Sequence, residues 1–181
     1  MRVMDFTHRL ATETDIPAIR MLMDRAIDAL QRPFLSPEEI AASRLSMGLD
    51  SQLIADRTYF LVEESGRLAG CGGWSRRATL YGGDHSAALR DASLLDPAKD
   101  AARIRAMYTD PDFTRRGVGR LVLRLCEAVV RQAGFARAEM MATLAGEPLY
   151  LACGYAAIER VMKLSAEGPP VPGVRMGKSL T

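Results

Sequence analysis

The segment that most constrains this chain is Thr114-Arg115-Arg116-Gly117-Val118-Gly119-Arg120. A run suited to a strand, Ala102 to Tyr108, precedes it, with Asp110-Pro111-Asp112-Phe113 as the turn between them. The clearest helix in the chain follows directly. Val118, Leu121, Val122, Leu125, Cys126, Val129, Val130 and Ala133 fall on one face, and Arg120, Arg124, Glu127 and Arg131 on the other, with Glu127 and Arg131 as an i,i+4 pair. Gly134 is the natural stop. Strand, glycine-bearing turn and helix start together make an anion-binding arrangement. The first amides of a helix lack intrahelical partners and lie at the positive end of its dipole. Glycine lets phosphate oxygens approach the backbone with no Cβ in the way. Arg115, Arg116 and Arg120 add charge around the mouth. The prediction is a phosphate-bearing ligand; the alternative is an ordinary glycine turn with solvated arginines. The segment is not a Walker A loop, because no Gly-Lys-Ser/Thr follows, and Leu123 stands where the third small residue of a dinucleotide fingerprint belongs.

The elements around it alternate. Thr7 to Ala11 reads as a strand, and Asp15 caps a helix with Pro17 in its first turn. Ile16, Ile19, Leu22, Met23, Ala26, Ile27 and Leu30 give that helix one apolar stripe. Ser36-Pro37-Glu38-Glu39 opens a second helix that runs out near Gly48. Thr58 to Glu63 and Leu68 to Trp74 form a hairpin about Ser65-Gly66, with Gly70, Gly72 and Gly73 marking close approach or a bulge. Residues 76–100 are a long segment with few periodic signals. Beyond the glycine-start helix lie a strand at 138–143, a short helix from Glu147 with Pro148 near its start, and a terminal hairpin of 156–165 and 174–180. This order predicts a mixed α/β sheet with helices on both faces.

With 181 residues, the chain fits one domain over 1–181. A formal charge of +2, from 24 Lys+Arg against 22 Asp+Glu, argues against a nucleic-acid or polybasic membrane partner. Nearly all the positive charge is Arg, since Lys99, Lys163 and Lys178 are the lysines. Genomic base composition explains that bias as readily as phosphate binding does. Cys71, Cys126 and Cys153 are widely spaced with no CxxC pair, which points to reduced structural thiols and to no metal. Residues 1–8 lack the apolar core of a secretory signal, and no apolar run reaches the roughly 18–20 residues of a membrane span. The expected location is cytoplasmic. A homodimer is the generic prior.

Met107 to Arg120 resembles the central motif of the GNAT superfamily of N-acetyltransferases: a strand, an acidic-Pro turn, then (Gln/Arg)-x-x-Gly-x-(Gly/Ala) at a helix start. Leu149-Tyr150-Leu151-Ala152-Cys153-Gly154-Tyr155 is similar to the family's Leu-Tyr-x-x-x-Gly-Phe segment, with Tyr155 for Phe. Thr114 departs from the Gln/Arg position, which puts a side-chain contact there in doubt. The resemblance implies a mixed, mostly antiparallel sheet of about six to seven strands with helices on both faces, and acetyl-CoA as donor. Its pyrophosphate would sit on the amides of Arg116, Gly117, Val118, Gly119 and Arg120, with Arg115 nearby. Its pantetheine would run along Met107, Tyr108 and Thr109 as an added strand. An amide near Met107 or Tyr108 would polarise the thioester. The acetyl group would pass directly to a small-molecule or peptide primary amine in a ternary complex, with Tyr150 protonating the leaving thiolate. A packed aromatic is the other reading of Tyr150.

Some family members carry a basic Glu on the central strand; here that stretch is Arg103-Ile104-Arg105-Ala106. Asp84 and His85 in the long segment are the substitutes, or else a solvated pair. Glu63, Glu64 and Glu139 are further candidates, and water with the free-amine fraction is another route. Trp74 either lines the acceptor site or packs in the core. Arg103 and Arg105 either hold an acidic acceptor group or form structural ion pairs. Two competing functions are a catalytically silent acyl-CoA-binding sensor or regulatory module, and a nucleotide-binding protein. A near-neutral chain does not favour strongly cationic acceptors.

Overall fold

In the computed structural model, which describes residues 5–162, 164 and 167–181, seven strands form one sheet. They are β1 (Thr7–Leu10), β2 (Tyr59–Glu64), β3 (Arg67–Ser75), β4 (Ala102–Thr109), β5 (Arg137–Ala142), β6 (Ala156–Val161) and β7 (Gly173–Ser179). Their order is β1-β2-β3-β4-β5-β7-β6, and every neighbouring pair is antiparallel except β4 with β5. The helices are α1 (Ile16–Leu30), α2 (Pro37–Ser43), α3 (Ser51–Ala55), α4 (Val118–Gln132) and α5 (Glu147–Ala152). The mixed sheet expected from the element order is the one observed. Residues 163 and 165 of the expected last hairpin, like residues 1–4, lie outside the described residues.

Each face of the sheet carries its own core. On one, Val118, Val122, Cys126 and Val130 of α4 meet Val62, Ala69, Ile104 and Met140 of the strands. On the other, Ile19, Met23 and Ile27 of α1 and Leu53 of α3 pack over Tyr59, Leu61, Cys71 and Tyr108. The α4 helix approaches β3 very closely. A Cβ on Gly70 would collide with Val118, and one on Gly72 with Met107 and Val122. That is the close approach which the glycines of β3 signalled.

Local chemistry sets the helix ends. Ser36 and Glu39 form a capping box at α2, and Gly134 adopts φ +91° after α4. Asp15 stands at the N-cap of α1, yet its carboxylate turns away, to Arg9 at 2.8 Å and the Thr12 amide at 2.8 Å. The α3 helix was not foreseen; Asp50 caps it by accepting from the Gln52 amide. Glu127 does not lie on a solvated face: it is buried against Lys178 of β7 at 3.0 Å, with Arg131 more distant at 3.8 Å.

One buried ion pair ties the long segment 76–100 to the sheet. Arg105 of β4 donates to Asp50 at 3.0 Å and to the carbonyls of Thr79 and Gly82 at 3.2 and 2.7 Å, and both charged residues are at most 3% exposed. Asp50→Ala strands that guanidinium in the interior and is expected to cost about 3–5 kcal/mol. Urea denaturation checks this; an unchanged midpoint would mean that the pair does not anchor the segment. The double variant Asp50→Ala/Arg105→Met is expected to lose less than Asp50→Ala alone.

Candidate active site

Strands β4 and β5 stay paired only through Ala102↔Ala138 and Arg103↔Glu139. Past that point β4 continues against β3 as far as Thr109, and β5 against β7 as far as Ala142. The two strands therefore part, and the β4 edge from Ile104 onward faces an opening instead of a neighbour. A cleft of about 100 Å³ occupies it. Its floor and sides come from Ile104 to Tyr108, from Met140, Met141 and Thr143, and from Tyr150. Three irregular segments wall it on the α1 side: Ser46 to Gly48, Leu80 to Gly82, and Leu164.

A bulge shapes the β4 wall. Gly70↔Thr109 and Cys71↔Tyr108 share one register, while Gly73↔Arg105 and Trp74↔Ile104 are offset from it by one residue. The extra residue falls where Ala106 has φ +50°. Side chains change phase there. Arg105 lies on the same face as Tyr108, and Ile104 and Met107 share the other. Tyr59 Oη donates to the Ala106 carbonyl at 2.7 Å and holds the kink. The Gly48 amide donates to Tyr108 Oη at 2.9 Å, which fixes the wall segment 46–48 to β4.

Tyr150 projects from α5 toward the part of the cleft where the strands have separated. It is 8% exposed and meets Tyr155 edge-to-face at 6.2 Å. Among the described residues none hydrogen-bonds to its hydroxyl. Burial pushes the phenol above its ordinary pKa, so it remains protonated across the neutral range.

The helix start lies at the Thr109 end of the same strand. Arg115 and Gly117 have φ +62° and +84°, and the first helical bond of the segment runs from the Leu121 amide to the Gly117 carbonyl at 3.0 Å. A Cβ on Gly117 would meet nothing within 4 Å, so the backbone face there is open. The expected arginines divide. Arg115 and Arg120 are exposed at the mouth. Arg116 is engaged, paired with Glu64 at 2.5 Å and stacked over Phe6 and Phe113. Thr114 turns inward to the Pro111 carbonyl.

The acceptor-side candidates are not brought to the cleft. Trp74 is 1% exposed and packs edge-on to Phe135 in the α4-side core, its other expected role, and it is not part of the cleft lining. Asp84 accepts from the amide and hydroxyl of Ser51, both at 2.9 Å, and so caps α3. His85 Nε2 meets the Arg44 carbonyl at 2.6 Å. These two residues border a separate hollow of about 380 Å³ against α1, which shares Met47 and Gly48 with the cleft. Glu63 pairs with Arg9, Glu64 with Arg116, and Glu139 with both Arg103 and Arg175. Arg103 and Arg105 thus both form structural ion pairs. Sequence reasoning missed the wall segments 46–48 and 80–82, which carry no periodic signal, and the anchoring role of Tyr59.

The Acetyltransferase (GNAT) family matches residues 22–155. Among solved structures, the GCN5-related N-acetyltransferase described as "Aminotransferase, Class-II" from Rhodopseudomonas palustris superimposes with a TM-score of 0.71 at 19% identity, covering 99% of each chain. The PaiA N-acetyltransferase of Thermoplasma acidophilum, in complex with coenzyme A, gives 0.65 at 11% identity over 97% of this chain and 99% of that one. YncA of Salmonella typhimurium, with its cofactor acetyl-CoA, gives 0.65 at 15% identity over 98% and 95%. No curated protein matches in sequence. At these identities the solved structures establish the fold. With 134 consecutive residues matched to the family, the chain belongs to the GNAT acetyltransferases.

Proposed function

We propose that the protein transfers an acetyl group from acetyl-CoA to a primary amine by direct attack within a ternary complex. The observation that carries this reading is the separation of β4 from β5, which leads from an open helix start to a buried tyrosine. Acetyl-CoA, when bound, supplies a thioester carbonyl for attack and a thiolate as leaving group. The residues present fit it. The amides of Arg116 to Arg120 at the helix start would bind the pyrophosphate, and the open space beside Gly117 supports this. Arg115 and Arg120 add charge from solvent, and the commitment of Arg116 to Glu64 leaves the amides the larger share. The free edge at Met107, Tyr108 and Thr109 pairs with amide groups of the donor in the manner of an added strand. The bulge at Ala106 aims a backbone amide at the carbonyl.

Tyr150 Oη holds the proton that the departing thiolate takes. Its burial suits it to that role, because the acid form persists well past neutrality. Among the described residues, none lining the cleft is Asp, Glu or His. The amine therefore reaches the thioester in its free form, or loses its proton to water.

Tyr150→Phe is expected to lower kcat at least about 100-fold while leaving CoA affinity nearly intact. Unchanged turnover in a thiol-release assay would remove Tyr150 from the chemistry. With wild-type protein, kcat/KM is expected to climb with pH as free amine accumulates and to show no descending limb below about pH 10, the ordinary phenol value above which burial holds Tyr150. A descending limb under pH 9 contradicts this. In thermal unfolding, acetyl-CoA at about 100 times its Kd is expected to add about 2.7 kcal/mol. ATP and NAD are expected to add nothing; stabilisation by either of them but not by CoA would favour a nucleotide-binding protein.

A further inference from the structure

The acceptor end of the cleft has an unusual balance of charge. Its walls are apolar or neutral: Met47, Leu80, Tyr81, Met141 and Leu164. Among the described residues one ionised side chain lines it, Arg105, which is 3% exposed. A guanidinium carries five N–H donors. Arg105 commits Nη1 to the Thr79 carbonyl and Nη2 to both Asp50 and the Gly82 carbonyl. Among the described residues nothing accepts from Nε, nor from the second hydrogen of Nη1. Asp50 does not balance this charge alone, since Arg90 also approaches it at 3.2 Å and the Gln52 amide takes part of the same carboxylate. Asp84, 3.7 Å from Arg90, is exposed and bound to Ser51.

A guanidinium with unused hydrogens, lining a cleft that has no acid among the described residues, favours an anion over a cation. A second ammonium on the acceptor, as in a diamine, would enter next to a positive group with no carboxylate to receive it, which burial makes costly. A carboxylate would meet an unused guanidinium hydrogen there, and charge-assisted bonds are the strong ones. The same positive group disfavours the ammonium form of the reacting amine. That helps a site with no evident base.

Resting on the acetyltransferase reading above, we infer that the acceptor is a small amino acid with an apolar side chain, its carboxylate received by Arg105 and its side chain lying against Met47, Leu80 and Leu164. Attack by the amine forms the amide bond as the carbon–sulfur bond breaks. The amine's proton goes to water, and the thiolate takes the proton of Tyr150.

The test uses the whole protein with saturating acetyl-CoA and four acceptors matched in shape: L-leucine, L-leucinamide, 3-methylbutylamine and cadaverine. Thiol release is expressed per free amine. L-leucine is expected to exceed 3-methylbutylamine by about 10- to 100-fold in kcat/KM, the range of a charged hydrogen bond, and cadaverine to be poorest. Thermal shift of the CoA-loaded protein reads binding of the same compounds. The variant Arg105→Lys keeps a cation for Asp50 but lacks the guanidinium N–H groups. It is expected to cut the preference for L-leucine over 3-methylbutylamine about tenfold, read as the ratio of the two kcat/KM values, whatever it does to turnover in general. Equal rates across the four, a preference for cadaverine, or no binding of L-leucine to the CoA-loaded protein overturns this inference and leaves acetyl-CoA binding untouched. Failure of acetyl-CoA itself to stabilise the protein overturns the underlying reading as well.

Discussion

Ala106 holds φ +50° in the middle of a central strand, and Tyr59 Oη donates to its carbonyl at 2.7 Å. A non-glycine residue in that region carries a strain of about 1–2 kcal/mol and persists only where its surroundings enforce it. Here the surroundings are a tyrosine 1% exposed in the α1-side core and the Gly72 position, where a Cβ would strike Met107. The consequences spread along β4. Before the bulge the strand pairs normally and buries Ala102 and Ile104 under α4; after it the phase inverts and Tyr108 turns to the other core. Past Arg103 the partnership with β5 has ended.

The helix start depends on the same strand for its position. The glycines of β3 let the Val118 and Val122 side chains of α4 press directly on the strand, so the start of α4 stands just beyond Thr109. The turn between strand and helix is braced from outside. Asp110 caps it through the Asp112 amide at 2.9 Å and receives Arg25 of α1 at 2.7 Å, while Arg67 reaches Asp112. Asp112 is held below the usual carboxylate range, chiefly by Arg67 and then by Arg25. Because Asp112 is exposed, those pairs guide geometry more than they add stability. The long helix, the glycine pair and the bulge act as one positioning device.

What could be read from the chain alone follows from how local each cause is. Capping, glycine punctuation and helical periodicity act within a few residues, so α2, α4 and the turn at 110–113 appear where the residues place them. Glu127 shows the limit. Its spacing from Arg131 suggests a solvated pair, but β7 brings Lys178 to 3.0 Å and the carboxylate is buried. Nothing at positions 120–134 encodes that. Trp74 was legible as the end of a glycine-rich strand, but not as a partner of Phe135, which lies far along the chain. Asp84 and His85 were visible as chemistry, yet their partners, Ser51 and the Arg44 carbonyl, belong to a helix and a loop whose placement depends on tertiary packing. The proposed donor side is built from consecutive residues on one strand and one helix. The opposite wall of the cleft is assembled from irregular segments, and irregular segments leave no period to read.

That division also explains how charge is distributed in the cleft. Every carboxylate that the sequence offered as a base is held elsewhere: Glu139 between two arginines, Glu64 on Arg116, Asp84 on Ser51. Releasing any of them to a substrate would break a pair or uncap a helix. Tyr150, in contrast, has no partner among the described residues to lose, and burial already favours its protonated form. A buried neutral acid beside a cleft with no Asp, Glu or His among its described lining residues suits a reaction whose leaving group needs a proton more than its nucleophile needs help losing one. A thiolate formed in a poorly solvated cleft has that need, because desolvation raises its basicity. In the proposed reaction the nucleophile would come from the fraction of amine already free in water, and the Arg105 guanidinium lining the cleft would disfavour an ammonium beside it.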